Sequence, residues 1–548
     1  MQIEQNIRIG AIVDVTGEYL TARLVSENGR PPSDQSSGIK GARIGQVGSY
    51  LCVRQSNVRT VVMVERSYRE IDAQGHAANM ARLVPLGELN QQGVFSKGVS
   101  HFPNVGDEIQ VISHEQLERI FSAHSNPGYK VGHLASFESI DVHLDASAFF
   151  GRHVAVLGQS GSGKSWTVTS LIQSALRSMP KAHMVLLDMH GEYCEKQVDG
   201  IAISSPFPPG QVRSLNAHEI EFPYWLLTYA ELCDLIVDPA DEYASIQVAF
   251  LRSLLMRLKR DTNTHLDLGH ITVDSPVYYS MEEFTELIKQ TNSETSNFGK
   301  TTSPLNGKFN QMLVRLYSML NDTRYDFLMK PKIRTSTESL TDMMKDIVGL
   351  GKPKANVTVL DLSAVPFDVV PMVTAQIGRL AYEFNFWNPL CREFPIFLIC
   401  EEAHEYIPRE ENPRFREARR AMERISKNGR KYGVGLCIVS QRPHDLSETV
   451  LAQCSSYICL RISNPEDQEY VRSMVPEAAR GTFATITSLS KGEAVALGEA
   501  VPMPVVFKVD MPDPPPNSTD IDYAGRWRDG GTEISVEKLV SNWQRQIR

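Results

Sequence analysis

The sequence predicts an α/β protein in which a mostly parallel sheet, covered by helices on both faces and interrupted by a helical insertion, follows a small all-β domain. Three observations predict it. From about residue 131, apolar runs recur at 153–157, 184–187, 357–362, 396–400, 434–439 and 457–460 with helical stretches between them, the pattern of strands buried on both faces. The first run, Val154-Ala155-Val156-Leu157, leads directly into GQSGSGKS at 158–165 and a helix-forming stretch from Lys164 to about Leu176. Residues 1 to about 130 carry short alternating runs instead, at Ile7–Val15, Val58–Val64 and Ile109–Ile112, broken by turn signals such as Pro103-Asn104-Val105-Gly106-Asp107. That spacing suits a small barrel or sandwich.

The elements then follow in order. Residues 1–130 form the β-barrel domain, with an exposed loop over Glu27–Gly38 around Pro31-Pro32-Ser33. Residues 131–510 form the nucleotide-binding domain. Between about 215 and 345 the strands disappear and helices are expected, for example Ser245–Arg260 and Phe309–Asn321, with a Ser/Thr/Asn-rich loop over Thr291–Ser303. The tail, 511–548, is proline-rich and then polar, and cannot form a core alone; it is expected to be a mobile tail or an arm that orders on a neighbouring subunit.

Composition narrows the class. The chain has 548 residues, 42% hydrophobic and 22% charged, which is ordinary for a folded protein of two or more domains. No apolar stretch approaches the roughly 20 residues that span a bilayer, and the amino terminus lacks a secretory pattern. A cytoplasmic protein with no membrane partner is expected. The eight cysteines are scattered and read as small core residues. His404-Glu405-Tyr406-Ile407-Pro408 begins like a zinc-protease motif but lacks its second histidine. Net charge is −9, so any nucleic-acid site must be local. Arg414–Lys431 offers one concentration, with eight Lys or Arg against two Glu, although a solvated helix face reads the same way.

The chemistry centres on residues 158–165, a complete nucleoside-triphosphate loop of the P-loop NTPase kind. Its glycines, Gly158, Gly161 and Gly163, with Ser162, let backbone N–H groups turn inward around phosphate oxygens, and the helix that follows adds its positive N-terminal end. Lys164 is expected to bridge the β- and γ-phosphates, Ser165 to hold Mg²⁺, and Trp166 to complete the ATP-binding set. Such a loop needs a partner strand ending in carboxylates, and Ile396–Cys400 followed by Glu401-Glu402 supplies it: Glu401 on the metal side, Glu402 orienting and deprotonating the attacking water. Asp188, and with it Glu192, should face the same crevice, because parallel strands end on one edge. Gln441, after the strand Val434–Val439, is placed to sense the γ-phosphate. Arg424, Arg430 and Arg152 are candidates to act on the nucleotide of an adjacent subunit, with an ordinary surface ion pair as the competing role for each.

Taken together, GQSGSGKS, DMHGEY at 188–193, ICEEAHEYIP at 399–408 and RISKNGRKYGVGLCIVSQRP at 424–443 resemble the HerA family of DNA-translocating ATPases, allied to the FtsK motors. FPNVGDEIQVI at 102–112 is similar to that family's amino-terminal HAS barrel, and DTRYDF at 322–327 fits its helical insertion. The resemblance implies a RecA/FtsK-like sheet and a homohexamer with ATP and Mg²⁺ between subunits and duplex DNA in the central pore. It also implies a partner, either a NurA-type nuclease or a sirtuin-like or nuclease effector of antiviral defence. On that footing Lys164, Ser165, Glu401 and Glu402 carry ATP hydrolysis, Gln441 senses phosphate, and Arg424 or Arg430 reaches across the interface. The alternative is a ring that scaffolds and switches an effector with little translocation of its own; a small-molecule kinase leaves the extra domains unexplained.

Overall fold

The computed structural model describes residues 7–25, 45–56, 58–71, 77–125, 128–198, 201–216, 220–296, 301–475, 480–518, 521–530 and 534–545. The predicted Glu27–Gly38 loop lies outside them. The amino-terminal strands alternate with period two, so that one face of each, including Ile9, Leu20, Ala22, Val53, Val62, Leu83 and Ile109, forms a closed interior. Leu20–Leu24, Arg8–Val15, Glu108–Val111, Tyr50–Arg54, Arg59–Ile71 and Ala77–Leu89 pair antiparallel in that order, and the last returns to the first. The ring closes with six strands, leaving Phe95–Lys97 as an appended edge.

The outward faces of the same strands are also apolar. Cys52, Val61, Met63 and Leu86 join a core shared with the second domain. The barrel is pinned there by the Tyr50 hydroxyl, which donates to the Pro504 carbonyl at 2.6 Å, and by Lys97, whose ammonium donates to the Gly498 carbonyl at 2.9 Å. A helix, His114–Phe121, started by a reciprocal Ser113–Gln116 cap, leads out of the barrel.

The second domain is built on an eleven-stranded sheet. Val212–Asn216, Val357–Asp361, Met184–Asp188, Ile396–Cys400, Val434–Ser440, Val154–Leu157 and Ser456–Cys459 lie side by side and all run parallel. The sheet then continues antiparallel through Glu493–Gly498, Val505–Val509, Lys130–Leu134 and Phe137–His143. This extension lies outside the runs read from the sequence, although Ala494–Leu497 is buried on both faces.

Helices Tyr229–Ile236, Ala244–Thr262, Met281–Ser293, Asn310–Leu320 and Ser339–Ile347 form the insertion. They have no core of their own: Trp225, Leu251, Phe284, Phe309 and Met312 belong to the cluster that also contains Leu187, Leu398 and Leu436 of the sheet. The Thr291–Ser303 stretch differs from the expected loop in carrying two short paired strands, Thr295–Ser296 and Thr301–Thr302. Seven of the eight cysteines are buried and Cys391 is half-buried.

The tail does not leave the body at once. The Asp513 N–H donates to Gln173, Gln173 donates to the Pro514 carbonyl, and the Asn517 N–H donates to the Glu192 carbonyl at 2.9 Å. Two helices follow, Tyr523–Asp529 and Val536–Arg545, with Trp527 80% and Trp543 75% exposed. Among the described residues, no helix is long and apolar enough to cross a membrane.

Candidate nucleotide site

The strand Val154–Leu157 is wholly buried between Val434–Ser440 and Ser456–Cys459 and releases the loop at the C-terminal edge of the sheet. The Gly158 N–H donates to the Ser440 carbonyl and the Gln159 N–H to the Arg461 carbonyl, which fixes the loop's entry. Gly161 and Gly163 have φ of 73° and 102°, the left-handed region that glycine enters without steric cost. A Cβ on Gly158 would stand 2.7 Å from Ser162 Oγ, so the close turn also demands glycine there. The helix Lys164–Ser178 begins with no side-chain cap, leaving its first N–H groups for an anion.

Lys164 is buried, and its ammonium donates to the Gln159 carbonyl at 3.4 Å. Burial pulls its pKa below the ordinary lysine value, while Glu402, Glu401 and Glu192 act to raise it. Both glutamates after the Ile396–Cys400 strand are buried, Glu401 at 3% exposure and Glu402 at 7%. Glu402 has φ 44°, a strained conformation for a residue with a side chain, and the chain turns sharply there. Burial pushes the Glu401 carboxyl well above the usual carboxylate range, with Asp188 and Glu192 adding to the effect and the Tyr193 hydroxyl, donating at 2.5 Å, opposing it. Burial also raises Glu402, against the pull of the Lys164 charge. His404, 3.4 Å from Glu402 Oε2 and 3.2 Å from Ser440 Oγ, is held neutral by burial, its pKa drawn down to about 4.

Asp188 departs from expectation. Its carboxylate is fully buried and accepts from the Glu192 N–H, the Tyr193 N–H and the Cys194 thiol, so it shapes the turn after its strand instead of facing the crevice. Glu192 takes that place, half-buried, against the Ser165 hydroxyl and within the field of Lys164. The sequence pointed to it only through the strand-edge rule. Trp166 stands half-buried in the helix's first turn. Gln441 lines a polar cavity of about 400 Å³ that adjoins the loop at Ser160 and includes Asn464 and Glu466.

The three arginines lie elsewhere. Arg430 lines an apolar cavity of about 640 Å³ with Phe150, His183, Ile396 and Val434, at the N-terminal edge of the strands and opposite the phosphate loop. Arg424 lies over the Tyr382 ring, 4.4 Å from its centroid, and 3.5 Å from Glu383. Arg152 is paired with Glu499. The basic segment is largely neutralised: Arg416 meets Asp234, Arg419 and Lys427 meet Glu423, and Arg420 meets Glu417.

Among the described residues no three His, Cys, Asp or Glu side chains are grouped so as to hold a metal ion by themselves, so a hard divalent cation would have to draw part of its oxygen shell from a nucleotide. Glu401 Oε2 and Glu402 Oε2 are buried without a hydrogen-bond partner, and the Ser165 hydroxyl and Glu192 add two further oxygen groups.

Two family models match the chain, the central domain of helicase HerA over residues 129–381 and the HerA-like C-terminal domain over residues 398–520. The chain belongs to the HerA family. The HerA central segment holds Lys164, Asp188 and Glu192, and the C-terminal one holds Glu401, Glu402 and Gln441; the barrel precedes both. The DNA double-strand break repair helicase HerA of Saccharolobus solfataricus is 25% identical over 94% of this chain and 97% of its own length. A probable helicase of Methanocaldococcus jannaschii is 28% identical over 80% of this chain and 77% of its own. Among solved structures, VirB4 of Thermoanaerobacter pseudethanolicus aligns with a TM-score of 0.47 at 16% identity, covering 70% of this chain and 96% of that one. The plasmid coupling protein TrwB bound to an ATP analogue aligns with a TM-score of 0.44 at 15% identity, covering 73% and 92%.

Proposed function

We propose that this HerA-family chain is an ATP-hydrolysing homohexameric translocase that threads duplex DNA through a central pore and works with a partner nuclease or other effector in DNA-end processing or antiviral defence. The observation that carries this reading is the convergence of Lys164 and Ser165 from one strand end with Glu401 and Glu402 from another. Lys164 and the loop N–H groups bind the β- and γ-phosphates of ATP. Glu402 orients the attacking water and accepts its proton on a carboxyl that burial makes more basic, against the opposing pull of the Lys164 charge. Ser165 and Glu401 would hold Mg²⁺, which would supply positive charge to the phosphates. Gln441 senses the γ-phosphate across its polar cavity.

Arg430 is proposed as the residue that reaches the neighbour's nucleotide, with Arg424 as the other candidate. Its place on the sheet edge opposite its own loop suits a head-to-tail ring, in which one subunit's loop edge meets the next subunit's far edge. The exposed tail helices serve in the same reading as an arm on the adjacent subunit. The names of the relatives, DNA-repair helicases, support DNA as the partner.

The ion-pairing of the 414–431 segment favours a second reading, a ring that gathers and switches an effector with little grip on DNA. Mass measurement under native conditions, joined to ATPase assays with and without duplex DNA on wild type and Glu402→Gln, separates the readings. A six-subunit particle whose DNA-stimulated turnover drops at least about a hundredfold in the variant supports the translocase. Turnover indifferent to DNA supports the scaffold, and a monomer with unchanged turnover in Glu402→Gln removes both.

A further inference from the structure

We infer that the turn from Asp188 to Tyr193 is the positioning element for the cation side of the nucleotide site, with Glu192 holding the Ser165 hydroxyl and Tyr193 fixing Glu401. The inference rests on the nucleotide-binding reading above and adds residues to it. The turn is built from within. Asp188 spends both carboxylate oxygens on it, Oδ1 accepting from the Glu192 N–H at 3.0 Å and Oδ2 from the Tyr193 N–H at 2.9 Å. Tyr193 is locked further, since its carbonyl accepts from the Ser205 hydroxyl at 2.8 Å and its ring stacks parallel to Phe207.

Consecutive residues of this turn therefore point to two partners. The Glu192 side chain meets Ser165, the residue that follows Lys164. The Tyr193 hydroxyl donates to Glu401 Oε1 at 2.5 Å, which fixes the carboxylate's orientation, and Oε2 is buried without a hydrogen-bond partner. The Glu401 main chain is held as well, because the Tyr406 hydroxyl donates to its carbonyl at 3.0 Å. A carboxylate restrained at both ends has a fixed orientation, and partners that orient the groups around a cation typically account for roughly 10- to 100-fold in its affinity.

The test is fluorescent ATP-analogue binding to the full chain, titrated with Mg²⁺ and repeated in EDTA, for wild type, Glu192→Gln and Tyr193→Phe. Both substitutions keep side-chain shape and remove only the charge or the hydroxyl. Each variant is expected to need roughly tenfold more Mg²⁺ for half-maximal binding, while the affinity of Tyr193→Phe in EDTA stays that of wild type. Retained EDTA binding also shows that the variant is folded. A Mg²⁺ midpoint within about twofold of wild type in both variants, or an equal loss with and without Mg²⁺, overturns the inference. Lys164→Ala runs alongside: if it binds nucleotide normally, the phosphate-loop reading fails first, and that result is distinct from either outcome above.

Discussion

At the scale of single residues, the site depends on ionisable groups kept in unusual states by burial. His153, in a left-handed conformation at the start of the phosphate-loop strand and 4% exposed, has its pKa drawn down by burial to about 4. Its folded-state pKa lies below the unfolded value, so the unfolded chain takes up a proton first as pH falls. Stability from this residue is complete above about pH 6.5 and is lost progressively toward pH 4, by about 3 kcal/mol. Thermal unfolding followed against pH should show that loss in wild type and a shallower one in His153→Asn, since asparagine tolerates the left-handed backbone. Equal slopes would refute the assignment. Lys164, Glu401 and Glu402 were legible in the sequence because a phosphate loop and a strand ending in two acids are local patterns. Of Asp188 and Glu192, both expected at the crevice, only Glu192 is there, because Asp188 spends its carboxylate on hydrogen bonds within the turn.

At the scale of elements, the loop 158–165 is held by backbone more than by side chains. Gly158→Ala places a Cβ 2.7 Å from Ser162 Oγ and 2.8 Å from Leu460 Cβ, both in tightly packed surroundings. We expect the loop to shift and nucleotide affinity to fall at least about tenfold, with the thermal midpoint lowered by only a few degrees. Equilibrium binding and differential scanning fluorimetry check this, and unchanged affinity would contradict the loop geometry. Six of the seven parallel strands were legible because burial on both faces leaves continuous apolar runs, whereas the half-buried edge strand Val212–Asn216 leaves none. The antiparallel extension Glu493–Gly498 and Val505–Val509 was not legible, nor was the fate of the basic helix Arg416–Asn428. Its charge is read from five Lys or Arg within one helix, but its partners Glu383 and Asp234 come from other helices.

At the scale of the whole molecule, the tail is docked at its start and exposed at its end. Residues 513–517 hold to Gln173 and the Glu192 carbonyl, and beyond them Val536, Leu539 and Val540 are exposed on the last helix. In a ring these residues would be buried on the adjacent subunit. Leu539→Asp with Val540→Asp should lower the oligomer mass seen by light scattering, or raise the concentration at which it forms by roughly tenfold or more, while the isolated chain stays folded. An oligomer unchanged by the double substitution would rule out the arm. The sequence showed that the tail could form no core alone, but its docking on the Glu192 turn joins positions more than 300 residues apart and has no local signal.

The central claim is that one ATP is shared between Lys164, Glu401 and Glu402 of one subunit and an arginine of the next. It is tested most directly by mixing two inactive variants, Lys164→Ala with Arg430→Ala, and separately Lys164→Ala with Arg424→Ala, and measuring ATP turnover of the co-assembled particles. Recovery in one mixture is predicted, because some interfaces then pair an intact loop with an intact arginine. No recovery at any mixing ratio, with either arginine, would contradict it.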